Sequence, residues 1–295
     1  MSAQTPRERV PYSAIVDRPA LPLPDGGRLV VWVIVNVEDW DIAGPMPRTV
    51  LPPPMGQPLL PDLPNWAWHE YGMRVGFWRI REVLARHGVR ATLALNGRVC
   101  ETFSRVAEGA LELDWEFMGH GFVQGPMHRL DDQRSAIRAT LDTIAKAAGK
   151  LPRGWESPGL TETYETIDIL REEGVEYVAD WVLDDQPVEV ATKAGPMVSV
   201  PYTVETNDIA IYALQQHASD MLYRRGVDQF EQLYAESETI TRIMSISLHP
   251  YLTGVPHRIR YLDQLLSHIA GHQGVLFWTG EEILDWYRAA GSTTT

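Results

Sequence analysis

LVVWVIVNVEDW, residues 29–40, decides the fold. From Leu29 to Val35 every residue is apolar, most of them β-branched, and polarity arrives abruptly with Asn36, Glu38 and Asp39. The run is far short of the roughly 20 residues a membrane helix needs. It also lacks the in-out alternation of a half-exposed strand, so it reads as a strand buried on both faces. Such strands belong to parallel sheets covered by helices.

The rest of the chain repeats the theme. Helical patterns at 72–88, 131–149, 161–174, 219–236 and 258–272 alternate with strand-like runs at 89–97, 113–119, 152–157, 175–181, 197–203, 243–249 and 275–279, and a last helix closes the chain. In 131–149, Ile137, Leu141, Ile144 and Ala148 share a face, with Asp131 or Asp132 as cap and Gly149 as stop. Strands alternating with helices of 10–15 residues mean βα units and a mainly parallel sheet. About seven such units close into a barrel, so the fold class is α/β. No GxGxxG follows the first strand, which disfavours a dinucleotide fold. The expected organisation is an N-terminal arm (1–28), one barrel domain (29–290) and a frayed tail (291–295). The Pro-rich stretch 41–64 is long enough to read as a functional loop.

The chain has 295 residues with 26 basic against 39 acidic side chains, a net charge of −13. That charge disfavours nucleic acid and anionic membranes as partners. The single cysteine, Cys100, excludes an internal disulfide framework and reads as a core thiol. No apolar leader stands at the N-terminus, so a cytoplasmic protein acting on a small-molecule substrate is expected.

In βα barrels the chemistry sits at the C-terminal ends of the strands. Here polar residues recur at those ends: Asn36, Glu38 and Asp39; Asn96; His120; Glu156 and Ser157; Asp180, then Asp184 and Asp185; and His249. Each alone could be a helix cap; six strand ends at one rim point to a shared active site. Two adjacent carboxylates raise one pKa, which suits a general base. The alternative for Glu38 and Asp39 is that one points in and the other out, as strand geometry allows. Of the other histidines His69 ranks first, since it ends the Pro-rich loop, while His128, His217, His257, His268 and His272 read as surface residues. Several tryptophans, Trp155 among them, neighbour the rim and could wall a ring-shaped substrate or simply fill the core.

The succession NVEDW (36–40), GHGFVQ (119–124), GWESPG (154–159), DWVLDDQP (180–187) and SLHPYLTGVPHRIR (247–260) resembles the polysaccharide deacetylase superfamily, the NodB-homology fold, over residues 29–287. The resemblance implies a distorted (β/α)7 barrel that hydrolyses C–N amide bonds, usually with a metal held by one Asp and two His. By position, Glu38 matches the general base, Asp39 the metal-binding carboxylate, His120 the first metal histidine and His249 the late general acid. Asp180 and Trp181 match an Asp-Trp pair that orients the machinery. Two positions depart: the second metal histidine is Gln124, a poor zinc ligand, and an expected Arg is Glu156.

These departures resemble the allantoinase and cyclic-imide hydrolase branch. The resemblance therefore implies either no cofactor or a loosely bound zinc-like divalent metal, on Asp39 and His120 with Gln124 in place of the second histidine. That branch is often oligomeric, which admits a homo-oligomer. The first functional reading is a hydrolase of a small amide, ureide or cyclic imide. Glu38 or Asp39 activates water, His120 and His249 stabilise the oxyanion and protonate the leaving nitrogen, and Asn36, His69, Asn96, Trp155, Glu156, Asp180, Asp184 and Asp185 bind substrate. A metal-dependent sugar N-deacetylase and a non-catalytic ligand-binding barrel are the alternatives.

Overall fold

The structure, a computed structural model, describes residues 4–292, with side chains described for residues 4–290. The first three residues of the arm and residues 293–295 of the tail lie outside it. Nine strands form one curled sheet: β1 Leu29–Val37, β2 Thr92–Leu95, β3 Glu116–Gly119, β4 Gly154–Trp155, β5 Tyr177–Val178, β6 Val188–Val190, β7 Met197–Ser199, β8 Arg242–Leu248 and β9 Val275–Phe277. Their order is β6-β7-β5-β4-β3-β2-β1-β8, with β9 also pairing β1, and every pair is parallel except β6–β7. The helices are α1 Pro6–Arg9, α2 Leu63–Tyr71, α3 Phe77–Arg86, α4 Val99–Thr102, α5 Ser104–Leu111, α6 Gln133–Ala148, α7 Thr166–Glu172, α8 Met221–Glu236, α9 Ile259–Ala270 and α10 Gly280–Ser292.

β1 is central because it is apolar on both faces. Val30, Trp32 and Ile34 pack with Tyr177, Val200, Tyr202 and Ile243 and with Ile283 and Leu284 of α10, filling the concave side. Leu29, Val31, Val33, Val35 and Val37 pack outward against the helical layer, including Phe77, Ile80, Leu262 and Leu266. The period of two fixes which polar residue beyond the strand faces which side.

The strands are shorter than their sequence patterns, and the barrel does not close by a regular ladder. Instead irregular segments bond the free edge of β8: Ile243 N donates to Asp185 O (2.9 Å) and Ser247 N to Thr206 O (3.1 Å). The antiparallel strand β6 and the helix α2, which takes over the end of the Pro-rich stretch, were not legible. Between α2 and α3 lies a π-helical turn, Gly72–Gly76. A Cβ on Gly76 would come within 2.1 Å of Pro250 O, so backbone here packs directly on the loop that follows β8.

The arm is pinned to the domain. Arg9 is buried, and its guanidinium meets Asp168 at 2.7 and 2.9 Å and Ala191 O at 2.9 Å. That pairing holds the Asp168 carboxyl below the usual carboxylate range. Cys100 is half-buried, and burial pushes its thiol up to about 11, so it is inert. Among the described residues no helix is long and apolar enough to cross a membrane.

Candidate active site

Glu38 continues the inward face of β1. Its carboxylate is buried, accepting from Trp40 Nε1 (2.6 Å) on Oε2 and from Gln124 Nε2 (2.9 Å) on Oε1. Burial raises its pKa, against the lowering influence of His249, Trp40 and Arg48. Asp39 takes the opposite side. Arg98 NH2 and Thr102 Oγ1 each donate to one of its carboxylate oxygens at 2.5 Å. The strand pleat therefore separates the two carboxylates, and Asp39, expected as a catalytic or metal-binding group, is instead a braced partner of the α4 region.

His249 follows β8. Its Nε2 lies 3.7 Å from Glu38 Oε1, and its Nδ1 is 2.7 Å from Asp208 Oδ1. Asp208 is wholly buried, and its Oδ2 accepts from His249 N (2.7 Å) and Thr253 Oγ1 (2.6 Å). Asp208 was missed in the sequence because it stands 41 residues earlier, inside TNDIAIY (206–212), with no motif around it. The only local signal was an acidic residue opening a helical stretch, which reads as a cap.

His120 ends β3. Its Nδ1 is 2.7 Å from the carbonyl oxygen of Glu156, so it donates there and leaves the Nε2 lone pair free, 4.0 Å from Glu38 Oε1. Burial lowers its pKa to about 4, so the ring is neutral. In that form it accepts hydrogen bonds at Nε2. Asn96 bridges the first and third strand ends: its Oδ1 accepts from Asp39 N (2.8 Å), and its Nδ2 donates to His120 O and to Gln124 Oε1 (3.2 Å). It is wholly buried and braces the two strand ends.

Glu156 faces the same centre. Tyr202 OH donates to its Oε1 (3.0 Å), and the Asn36 amide is best satisfied with its nitrogen 3.2 Å from both Glu156 oxygens and its oxygen accepting from Ser247 Oγ (2.9 Å). Burial, with the charge of Glu38 added, pushes Glu156 up to about 8 from an ordinary 4.5. At neutral pH it is a neutral acid, so the carboxylate in the place of an arginine adds little charge. The folded state prefers the proton, so stability falls as pH rises from 4.5 toward 8. Glu156→Gln, which cannot ionise, is expected to be more stable than the parent by on the order of 2–4 kcal/mol at pH 8, with the difference vanishing near pH 4. Urea unfolding at the two pH values checks this; an equal or lower midpoint at pH 8 would contradict it.

Asp180 braces the loop that carries Glu156. Its Oδ1 accepts from Ser157 N (2.6 Å). Burial raises both Asp180, to about 6, and its neighbour Glu162, which also accepts from Trp181 Nε1 at 2.8 Å. Trp155, Asp184, Asp185 and His69, expected as substrate contacts, point elsewhere. Trp155 points to the helical side of the sheet, wholly buried among Ile137, Leu141 and Ile167, because it alternates with inward Glu156. Asp184 pairs with Arg18 of the arm (2.6 and 2.9 Å), and Asp185 lies beside Ile243 and Arg242 at the start of β8, the end opposite His249. The chain after Trp181 runs back along the barrel, which sequence order does not reveal. His69 is buried and stacked on Trp40 (ring centroids 4.4 Å), with burial lowering it to about 3. It backs the tryptophan that holds Glu38.

Two further groups join the site. Tyr251 is buried with an unpartnered hydroxyl, and burial plus the charges of Glu38 and Asp208 raise it well above its ordinary value, so it stays a donor. Arg48, on the Pro-rich loop, is near enough to lower Glu38 and Tyr251.

These residues do not fit the metal that the resemblance implied. Both oxygens of Asp39 are committed to Arg98 and Thr102, and the Gln124 amide turns an N–H donor toward Glu38. Among the described residues, no three His, Cys, Asp or Glu side chains of the rim bring their ligand atoms together.

No family model matches the chain. A protein of Schizosaccharomyces pombe described as a polysaccharide deacetylase is 31% identical over 241 residues, covering 75% of each chain. Two crystal structures share the fold: a protein of Pseudomonas aeruginosa PAO1 described as a polysaccharide deacetylase (TM-score 0.83, 23% identity, 94% of this chain and 98% of that one) and the PuuE allantoinase (TM-score 0.83, 23% identity, 97% and 98%). The fold is thus the distorted (β/α)7 barrel of these proteins. The chain belongs to the polysaccharide deacetylase family and is a deacetylase-like hydrolase of non-peptide C–N amide bonds.

Proposed function

We propose that the chain hydrolyses a small amide, ureide or cyclic imide, with Glu38 as general base and His249 as general acid, and without a metal resident in the barrel. The observation that carries this reading is the single line of contacts from Glu38 Oε1 to His249 Nε2 (3.7 Å) and from His249 Nδ1 to Asp208 (2.7 Å). Glu38 takes a proton from water as it attacks the carbonyl carbon. Its raised pKa brings it nearer the working pH, which strengthens a base. The Tyr251 hydroxyl, a buried unpaired donor, stabilises the oxyanion. His249, steadied by Asp208, gives a proton from Nε2 to the leaving nitrogen, and the proton that Glu38 took from water then passes to His249 across the 3.7 Å contact, which resets both groups.

The small substrate is supported by burial. Glu38, His120, Glu156 and His249 are each no more than 5% exposed, which suits an enclosed pocket better than a groove for a polymer. The His120 Nε2 lone pair accepts a substrate N–H, a group that ureides and imides carry. A carbohydrate acetamide is the second reading, favoured by the description of the yeast relative. Hydrolysis of allantoin, a cyclic imide and an N-acetylglucosamine oligomer, each with and without chelator, separates them. Turnover of allantoin or the imide that chelator leaves unchanged is expected. Chelator-sensitive release of acetate from the oligomer alone would replace the first reading by the second.

A further inference from the structure

The outer helices hold a cluster that the barrel chemistry does not use. Glu231 on α8, His268 on α9 and His272 just beyond α9 place one ligand atom each within 4.8 Å of one another. His268 Nε2 is 2.7 Å and His272 Nε2 3.5 Å from the same atom, Glu231 Oε1. We propose that Glu231, His268 and His272 form a binding site for a zinc-class divalent transition-metal ion, clasping α8 to α9.

Three observations support it. First, His272 Nδ1 donates to the carbonyl of His268 (3.0 Å), which turns Nε2 toward Glu231 Oε1 at 3.5 Å. A backbone carbonyl on the far nitrogen is also the usual way a ligating histidine is oriented. Second, the rings are packed in place: the Phe230 centroid is 4.8 Å from that of His272 and 5.7 Å from that of His268, and Tyr234 is 5.1 Å from His272. Third, the donor set and spacing suit the ion. Two imidazoles and one carboxylate match a borderline cation, and tetrahedral bonds of about 2.0–2.1 Å put ligand atoms about 3.3 Å apart. Small side-chain rotations reach that from the observed spacing. The three side chains are 27–50% exposed, so water can fill a fourth position.

α8 packs against β8, whose end delivers His249, and α9 packs against α8, so the clasp braces the scaffold of the acid without touching it. It also means that bulk metal content alone does not report on the barrel.

The test uses the full-length, tag-free, chelator-stripped protein. Zinc binding is measured by calorimetry, and cobalt binding by the visible absorption of a low-coordinate Co(II) centre. One equivalent binding at micromolar affinity is expected, weakened about tenfold or more in His268→Ala and His272→Ala and retained in His120→Ala. Glu231→Gln, at a half-exposed position, repeats the test should a histidine variant lose its native circular dichroism. Absence of zinc uptake by the parent protein would reduce the cluster to an ion pair and overturn the proposal. So would binding that the three variants leave unchanged, or that His120→Ala alone abolishes.

Discussion

Glu38→Gln is expected to lower kcat by about 1000-fold while leaving KM within a few-fold. A positioned general base contributes roughly 100- to 10,000-fold, and here the base also works without metal-activated water. The substitution keeps the shape of the side chain and an oxygen for Trp40 Nε1. It sacrifices the Gln124 hydrogen bond and the charge that faces His249, both on Oε1. It also removes the cost of burying a charge, so the melting temperature should hold or rise. Steady-state kinetics on whichever substrate the panel identifies, with a melting curve alongside, check both halves. Activity within tenfold of the parent would place the base elsewhere and end the mechanism proposed here. A parent protein that binds a substrate analogue yet turns over none of the substrates, with Glu38→Gln binding it equally well, would point to a non-catalytic barrel.

Asp208→Asn is expected to cost about 100- to 1000-fold in kcat. In the parent, the two oxygens of Asp208 accept from His249 Nδ1, His249 N and Thr253 Oγ1. An amide can offer only one oxygen, so its NH2 must face one of those donors or turn the imidazole to the wrong tautomer. The loss of negative charge also withdraws support from the protonated ring during proton transfer, the role a buried aspartate plays beside a catalytic histidine. Asp208 touches no substrate, so KM should change little; a mere structural defect would raise KM and lower the melting point together. Activity near that of the parent would show that His249 needs no orienting partner. The Thr253→Val variant, which removes one donor and leaves the His249–Asp208 contact intact, should cost far less.

Much of this site was readable in advance. The apolar run 29–35 demanded a doubly covered strand, and the polar residues that end it had to lie at the rim. Glu38, His120, Glu156 and His249 do meet around one point, because parallel strands in neighbouring register deliver their C-terminal ends to the same side. The acidic pair at 184–185 misled for the converse reason. It follows β5 in sequence, but the chain there reverses into antiparallel β6, so it ends beside the start of β8.

Sequence by itself determined the parallel α/β barrel, the strand ends where polar residues gather and the residue types assembled there, because hydrophobic periodicity and strand order are local properties of the chain. Tertiary structure alone decided which carboxylate of the Glu38–Asp39 pair faces His249 and which meets Arg98, that Asp208 backs His249, and that Glu231 meets His268 and His272. Each of these depends on a side-chain direction or on a contact between segments far apart in the chain. Protonation followed the same division: burial and neighbouring charge, which exist only in the fold, leave His120 neutral and Glu156 protonated.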